Sequence, residues 1–69
     1  MSKYELIIYW SKKDSAFVVE VSELPGAMSD GASYEEAVAN AQEVIQEWIE
    51  TANSIGRPIP EPKGRLLYA

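Results

Sequence analysis

The side chains of this chain that could do chemistry are mostly carboxylates. Asp14, Asp30, Glu5, Glu20 and the glutamates between Glu35 and Glu50 belong to a set of eleven acids against six bases. A nuclease-type centre needs several such groups converging on divalent cations. Their spacing gathers no such set. Asp14 falls in a loop, Asp30 at a turn, Glu5 and Glu20 on extended segments, and the later glutamates on one side of a helical stretch. Solvated charge and helix capping account for them. The chain has no cysteine and no histidine. These absences remove disulfides, most zinc, haem and iron–sulfur sites, and the commonest general base. The reading is therefore of a non-enzyme with no catalytic residue, metal or cofactor.

Lys12 and Lys13 form the one basic pair, at a position where a hairpin tip is expected to be polar anyway. With a net charge of −5 and no basic cluster, the chain is not expected to bind nucleic acid directly. An acidic surface instead attracts a basic partner and speeds the encounter. No apolar run approaches the roughly 20 residues that a membrane span requires. The N-terminus lacks the layout of a signal peptide. Together with the missing cysteine, this suits a cytoplasmic protein.

The elements that must position these groups are legible from pattern. The segment from Tyr4 to Trp10 is rich in aromatic and β-branched residues and predicts a strand; Ala16 to Val21 predicts a second. If Ser11 pairs with Ala16 across a four-residue loop, Trp10 faces Phe17, Ile8 faces Val19 and Leu6 faces Val21. One face of the hairpin then collects Tyr4, Leu6, Ile8, Trp10, Phe17, Val19 and Val21. The other, mixed face carries Glu5, Ile7, Tyr9, Ala16, Val18 and Glu20. Leu24-Pro25-Gly26 marks a turn, and a short third strand over Ala27 to Asp30, ended by Gly31, is expected to pair antiparallel.

A long helix follows. Ser33 with Glu36 three residues later has the form of a capping box, and Glu35 and Glu36 suit the positive end of the helix dipole. Tyr34, Ala37, Val38, Ala41, Val44, Ile45, Trp48, Ile49, Ala52 and Ile55 share one apolar stripe. Gly56 fits the C-terminal cap and Pro58 blocks continuation, so the helix spans roughly Tyr34 to Ile55. Residues 57–69 read as an extended proline-rich tail, in which Leu66, Leu67 and Tyr68 could add an edge strand. Both tryptophans, Trp10 and Trp48, fall on apolar faces and are expected in the core, with each indole N–H seeking a partner. The architecture is α+β: a small antiparallel sheet of three to four strands with one long helix packed on one face, in the order β-β-β-α-(β).

The ordered combination of Leu24-Pro25-Gly26, Asp30-Gly31-Ala32-Ser33, Glu35-Glu36-Ala37, Asn40 and Glu43-Val44-Ile45 resembles the HicB-type antitoxin family. The strand Phe17-Val18-Val19-Glu20-Val21 and the tail from Gly56 to Pro62 are similar too. The likeness covers about residues 4 to 65. It implies a partial RNase H-like fold and a role in neutralising a small, basic HicA-type toxin that cleaves messenger RNA, by covering the toxin's surface. Members often carry cysteine where this chain has Ala27. Many also carry a C-terminal DNA-binding domain. The expectation here is a single domain over residues 1–69 without one.

Two surfaces are candidates for partners. On the mixed sheet face, Ile7, Tyr9, Val18 and Glu20 would leave apolar groups exposed, as association surfaces do; a second copy in a dimer or tetramer, or a different protein, could cover them. On the outer helix face, Glu43, Glu47 and Glu50 form an acidic surface that could face a toxin. The favoured reading is a toxin-neutralising antitoxin. A stand-alone oligomeric module with a non-ribonuclease partner is the alternative, and a metal-dependent nuclease, suggested by fold analogy alone, is the third.

Overall fold

A computed structural model of the chain describes residues 3–62; the edge strand expected at residues 66–68 lies outside the described residues. Three strands precede one helix: β1 (Leu6–Ser11), β2 (Ala16–Val21), β3 (Met28–Gly31) and α1 (Tyr34–Ile55). The sheet has the order β1-β2-β3 with both pairings antiparallel. The hairpin adopts the expected register, with Leu6 opposite Val21, Ile8 opposite Val19, Trp10 opposite Phe17 and Ser11 opposite Ala16. β1 starts at Leu6, two residues later than the pattern suggested, and β3 starts and ends one residue later.

The connection between β2 and β3 is two overlapping turns. The Leu24 amide donates to the Val21 carbonyl, and the Ala27 amide donates to the Leu24 carbonyl. Pro25 occupies the first central position of the second turn, and Gly26, at φ 82°, the second; this is the positive φ that a type II turn demands of glycine. Leu24 is thereby driven fully into the core, where it packs with Val21, Ala27 and Ile45. Ala27, 3% exposed, sits where a larger side chain would have to be accommodated by these neighbours.

α1 is capped at both ends as the sequence requires. Ser33 Oγ accepts from the Glu36 amide at 3.1 Å, a cap that contributes about 1 kcal/mol. Gly56 takes the left-handed conformation, and the Arg57 amide donates to the Ala52 carbonyl at 2.8 Å, closing the last turn. The helix lies mainly over β3 and β2. Ala37 and Ala41, both fully buried, meet Val19 there, flanked by Leu6, Ile8 and Phe17.

A 22-residue helix is about 33 Å long, whereas a six-residue strand covers about 20 Å. The ends of the apolar stripe therefore overhang the sheet: Tyr34 and Ile55 are 59% and 67% exposed. Beyond Gly56 the chain turns back toward the start of β1, where the Tyr4 hydroxyl donates to the Pro60 carbonyl.

β3 and the first turns of α1 approach closely. A Cβ placed on Gly31 would lie 2.5 Å from the Ala37 nitrogen and 2.9 Å from the Ala37 Cα. Two hydrogen bonds hold the same seam. Ser29 Oγ donates to the Ala37 carbonyl at 3.0 Å, and Asn40 Nδ2 donates to the Asp30 carbonyl at 2.8 Å. Gly31→Ala should accordingly cost about 3 kcal/mol or more, the top of the overpacking range, because both clashing partners are backbone. Gly26→Ala, with open space around it, should cost about 1 kcal/mol from its φ alone. Urea unfolding of the two variants checks this; equal losses would contradict the close-approach argument.

Candidate interaction surface

The helix covers one face of the sheet and leaves the other bare among the described residues. Register places Ile7 opposite Glu20 opposite Met28, and Tyr9 opposite Val18 opposite Asp30. On this outer face Ile7, Tyr9 and Met28 are 44%, 42% and 53% exposed. Val18 differs from the expectation of an exposed residue: it is 6% exposed. It stands on the central strand, paired with Tyr9 on one side and Asp30 on the other. Val18 is thus the floor of the face, and Ile7, Tyr9 and Met28 are its accessible relief. Met28 escapes sequence reasoning because its place on this face depends on how β3 pairs with β2.

The rim of the face is acidic. Tyr9 Oη donates to a Glu20 carboxylate oxygen at 2.7 Å. Asp14 is held at the hairpin by Ser11, whose hydroxyl donates to its carboxylate at 3.0 Å. Asp14 and Asp30 both border a shallow depression over Val18 and Met28. The Tyr9 hydroxyl feels this field. Its pKa is raised, first by the hydrogen bond to Glu20, then by desolvation and by the negative charges of Glu20 and Asp14.

The far side of α1 presents the second candidate surface. Glu43, Glu47 and Glu50 are all exposed and line a shallow groove with Gln46. Gln46 Nε2 lies 3.4 Å from Glu50 Oε1. That groove is lined by polar side chains alone; on its other side Glu47 also borders a more apolar groove with Val44, Trp48 and Ile55. Among the described residues no three carboxylates on either surface converge in a way that could hold a metal ion.

The tryptophans divide. Trp48 is half-buried against Val21, Leu24 and Ile45, donates to the Pro25 carbonyl at 3.0 Å and carries the Arg57 guanidinium 5.0 Å above its ring. This matches the expected core position with a satisfied indole. Trp10 does not: it is 51% exposed. It shares a face with the core but stands on the edge strand, at the last rung that all three strands share. Its ring meets Phe17 edge-on at 5.0 Å, and Phe17 in turn packs on Tyr34 at 4.2 Å.

The motif residues that stood out in the sequence thus hold the fold together. Leu24-Pro25-Gly26 forms the turn that receives Trp48, and Asp30, Gly31, Ser33, Ala37 and Asn40 build the strand–helix seam. That same ordered set lies within the match of residues 4–65 to the HicB-like antitoxins of bacterial toxin–antitoxin systems. The chain belongs to this family. A HicB-like antitoxin has a toxin as its class of partner. No curated protein and no solved structure matches the chain. Among its described residues no helix is long and apolar enough to cross a membrane.

The tyrosine–carboxylate pair can be read directly. In an alkaline titration followed by phenolate absorbance, Tyr9 should ionise above the ordinary 10.0, with Tyr9→Phe identifying its step among the four tyrosines. Glu20→Gln keeps an oxygen that can accept from the hydroxyl but removes the negative charge that favours its neutral form. The step should then move down toward 10.0, and an unmoved step would show that Glu20 does not act on Tyr9.

Proposed function

We propose that this HicB-like antitoxin neutralises a small, basic toxin of the HicA type, one that cleaves messenger RNA, by binding the toxin and covering its surface. The observation that carries the reading is the family match over residues 4–65 on a chain of net charge −5. Binding suffices for this role, and the chain supplies no histidine or cysteine for catalysis. The work is physical: a preformed acidic domain meets a cationic protein, steered by long-range attraction and held by apolar contact. A cytoplasmic location and a partial RNase H-like relationship of the fold belong to the same proposal.

A second reading has its own support. The apolar relief of Ile7, Tyr9 and Met28 would equally be covered in a homo-oligomer, a dimer or tetramer, acting on a partner that is not a ribonuclease. Small domains gain stability by such association.

Co-expression with the toxin encoded beside it should relieve growth arrest, and the two proteins should co-elute on gel filtration. The association rate should fall steeply as salt rises, since screening shortens the reach of the attraction. Persisting arrest with separate elution would exclude the toxin reading. A homo-oligomer that ignores the toxin would favour the second.

A further inference from the structure

We infer that the sheet face opposite the helix, with Ile7, Tyr9 and Met28 as its apolar relief and Glu20, Asp14 and Asp30 at its rim, is the docking site for a cationic protein surface, and that neither the acidic helix face nor a second copy of the chain takes this place. The inference deepens the toxin-binding reading and rests on it for the identity of the partner.

Three observations on the fold support the choice. The face combines accessible apolar area with carboxylates, and binding surfaces of useful affinity have this anatomy: an apolar centre that excludes water, surrounded by polar groups that select the partner. The groove of Glu43, Gln46, Glu47 and Glu50 on α1 has the charge without an apolar centre, and of these glutamates Glu47 alone also borders the apolar groove of Val44, Trp48 and Ile55. Glu43, Glu47 and Glu50 are exposed, and opposite charges in water gain little on pairing. Such a face changes encounter rate more than residence time.

The second observation is the Tyr9–Glu20 hydrogen bond at 2.7 Å. It restrains a carboxylate beside apolar groups and uses one of its oxygens, leaving the other to accept from an incoming lysine or arginine. A restrained acceptor loses less conformational entropy on binding than a freely rotating one. Tyr9 offers its ring to the same cation, as aromatic faces do. The pair is thus a small cation receptor set in an apolar surface.

The third observation is charge. In a two-fold contact each subunit presents the same patch, so a second copy on this face would set one group of Asp14, Glu20 and Asp30 carboxylates against another. Each copy also carries a net charge of −5. A positively charged partner turns the same rim from repulsive to attractive.

Charge-reversed variants of the intact chain decide the matter. Glu20→Lys and Asp30→Lys should each weaken binding of the co-encoded toxin tenfold or more by calorimetry, while Glu43→Lys and Glu47→Lys should change it less than threefold. Tyr9→Phe, which keeps the ring and removes the hydrogen bond, should weaken binding severalfold without altering thermal stability. Helix-face variants that abolish binding while the sheet-face variants leave it intact would overturn the inference and leave toxin binding standing. A toxin-independent arm uses an arginine-rich peptide as probe in NMR titration. Shifts centred on Tyr9, Val18 and Glu20 support the site, and shifts confined to Glu43, Glu47 and Glu50 overturn it, whether or not the toxin binds. Sedimentation completes the set: a wild-type dimer that Ile7→Lys converts to monomer would assign the face to a second copy and overturn the proposal.

Discussion

The fold depends on how closely one strand and one helix approach. Where β3 ends and α1 begins, the Gly31 backbone lies so near Ala37 that a single methyl group would strike backbone atoms at 2.5 Å. Both sides of this contact are made of very small residues, Gly31 on the strand and Ala37 and Ala41 on the helix. Ser29 and Asn40 then hydrogen-bond across the seam to carbonyl groups at 3.0 and 2.8 Å. Steric fit and polar satisfaction locate the helix axis over β3 and β2, and the other contacts follow from that position. A short cross-connection of this kind suits a small domain, whose modest core leaves little energy to correct a misplaced element.

Placing the helix this way decides which surfaces are available. A single helix covers a single face, and the described part of the chain supplies no second layer. The outer sheet face therefore keeps Ile7, Tyr9 and Met28 partly in water, with carboxylates beside them. Its exposure is a consequence of the architecture and a resource for a protein whose family acts by binding. Acids stand in two settings: Glu43, Glu47 and Glu50 line a polar groove on the helix, and Asp14, Glu20 and Asp30 stand beside apolar relief on the sheet. The same residue type does different work in the two settings, because pairing strength depends on how much water an interface displaces.

Local pattern carried far in this chain. Ser33 and Gly56 bound the helix at Tyr34 and Ile55 because caps act through the nearest backbone groups, within one turn of themselves. The hairpin register follows from parity and a four-residue loop. The apolar stripe identified the residues that would meet the sheet. It could not tell that Tyr34 and Ile55 would overhang it, since exposure at the ends depends on the relative lengths of helix and strand. Trp10 and Val18 depart from expectation for a related reason. Each lies on the face parity assigns to it, but an edge strand uncovers the tryptophan, while the central strand, flanked on both sides, covers the valine.

The candidate site was half legible. Ile7, Tyr9, Val18 and Glu20 share a face by alternation alone, and sequence sufficed to find them. Met28 and Asp30 joined them only when β3 paired with β2, and the Tyr9–Glu20 bond needed two strands brought side by side. The sequence by itself determined the elements, their caps, the hairpin register, the acidic charge and the lack of histidine and cysteine, all of which are properties of residues or of near neighbours along the chain. Tertiary structure decided which apolar groups stay in water, which carboxylates stand beside them and why Gly31 must be glycine. Those are distances between segments far apart in sequence, and they come into being only when the helix settles on the sheet.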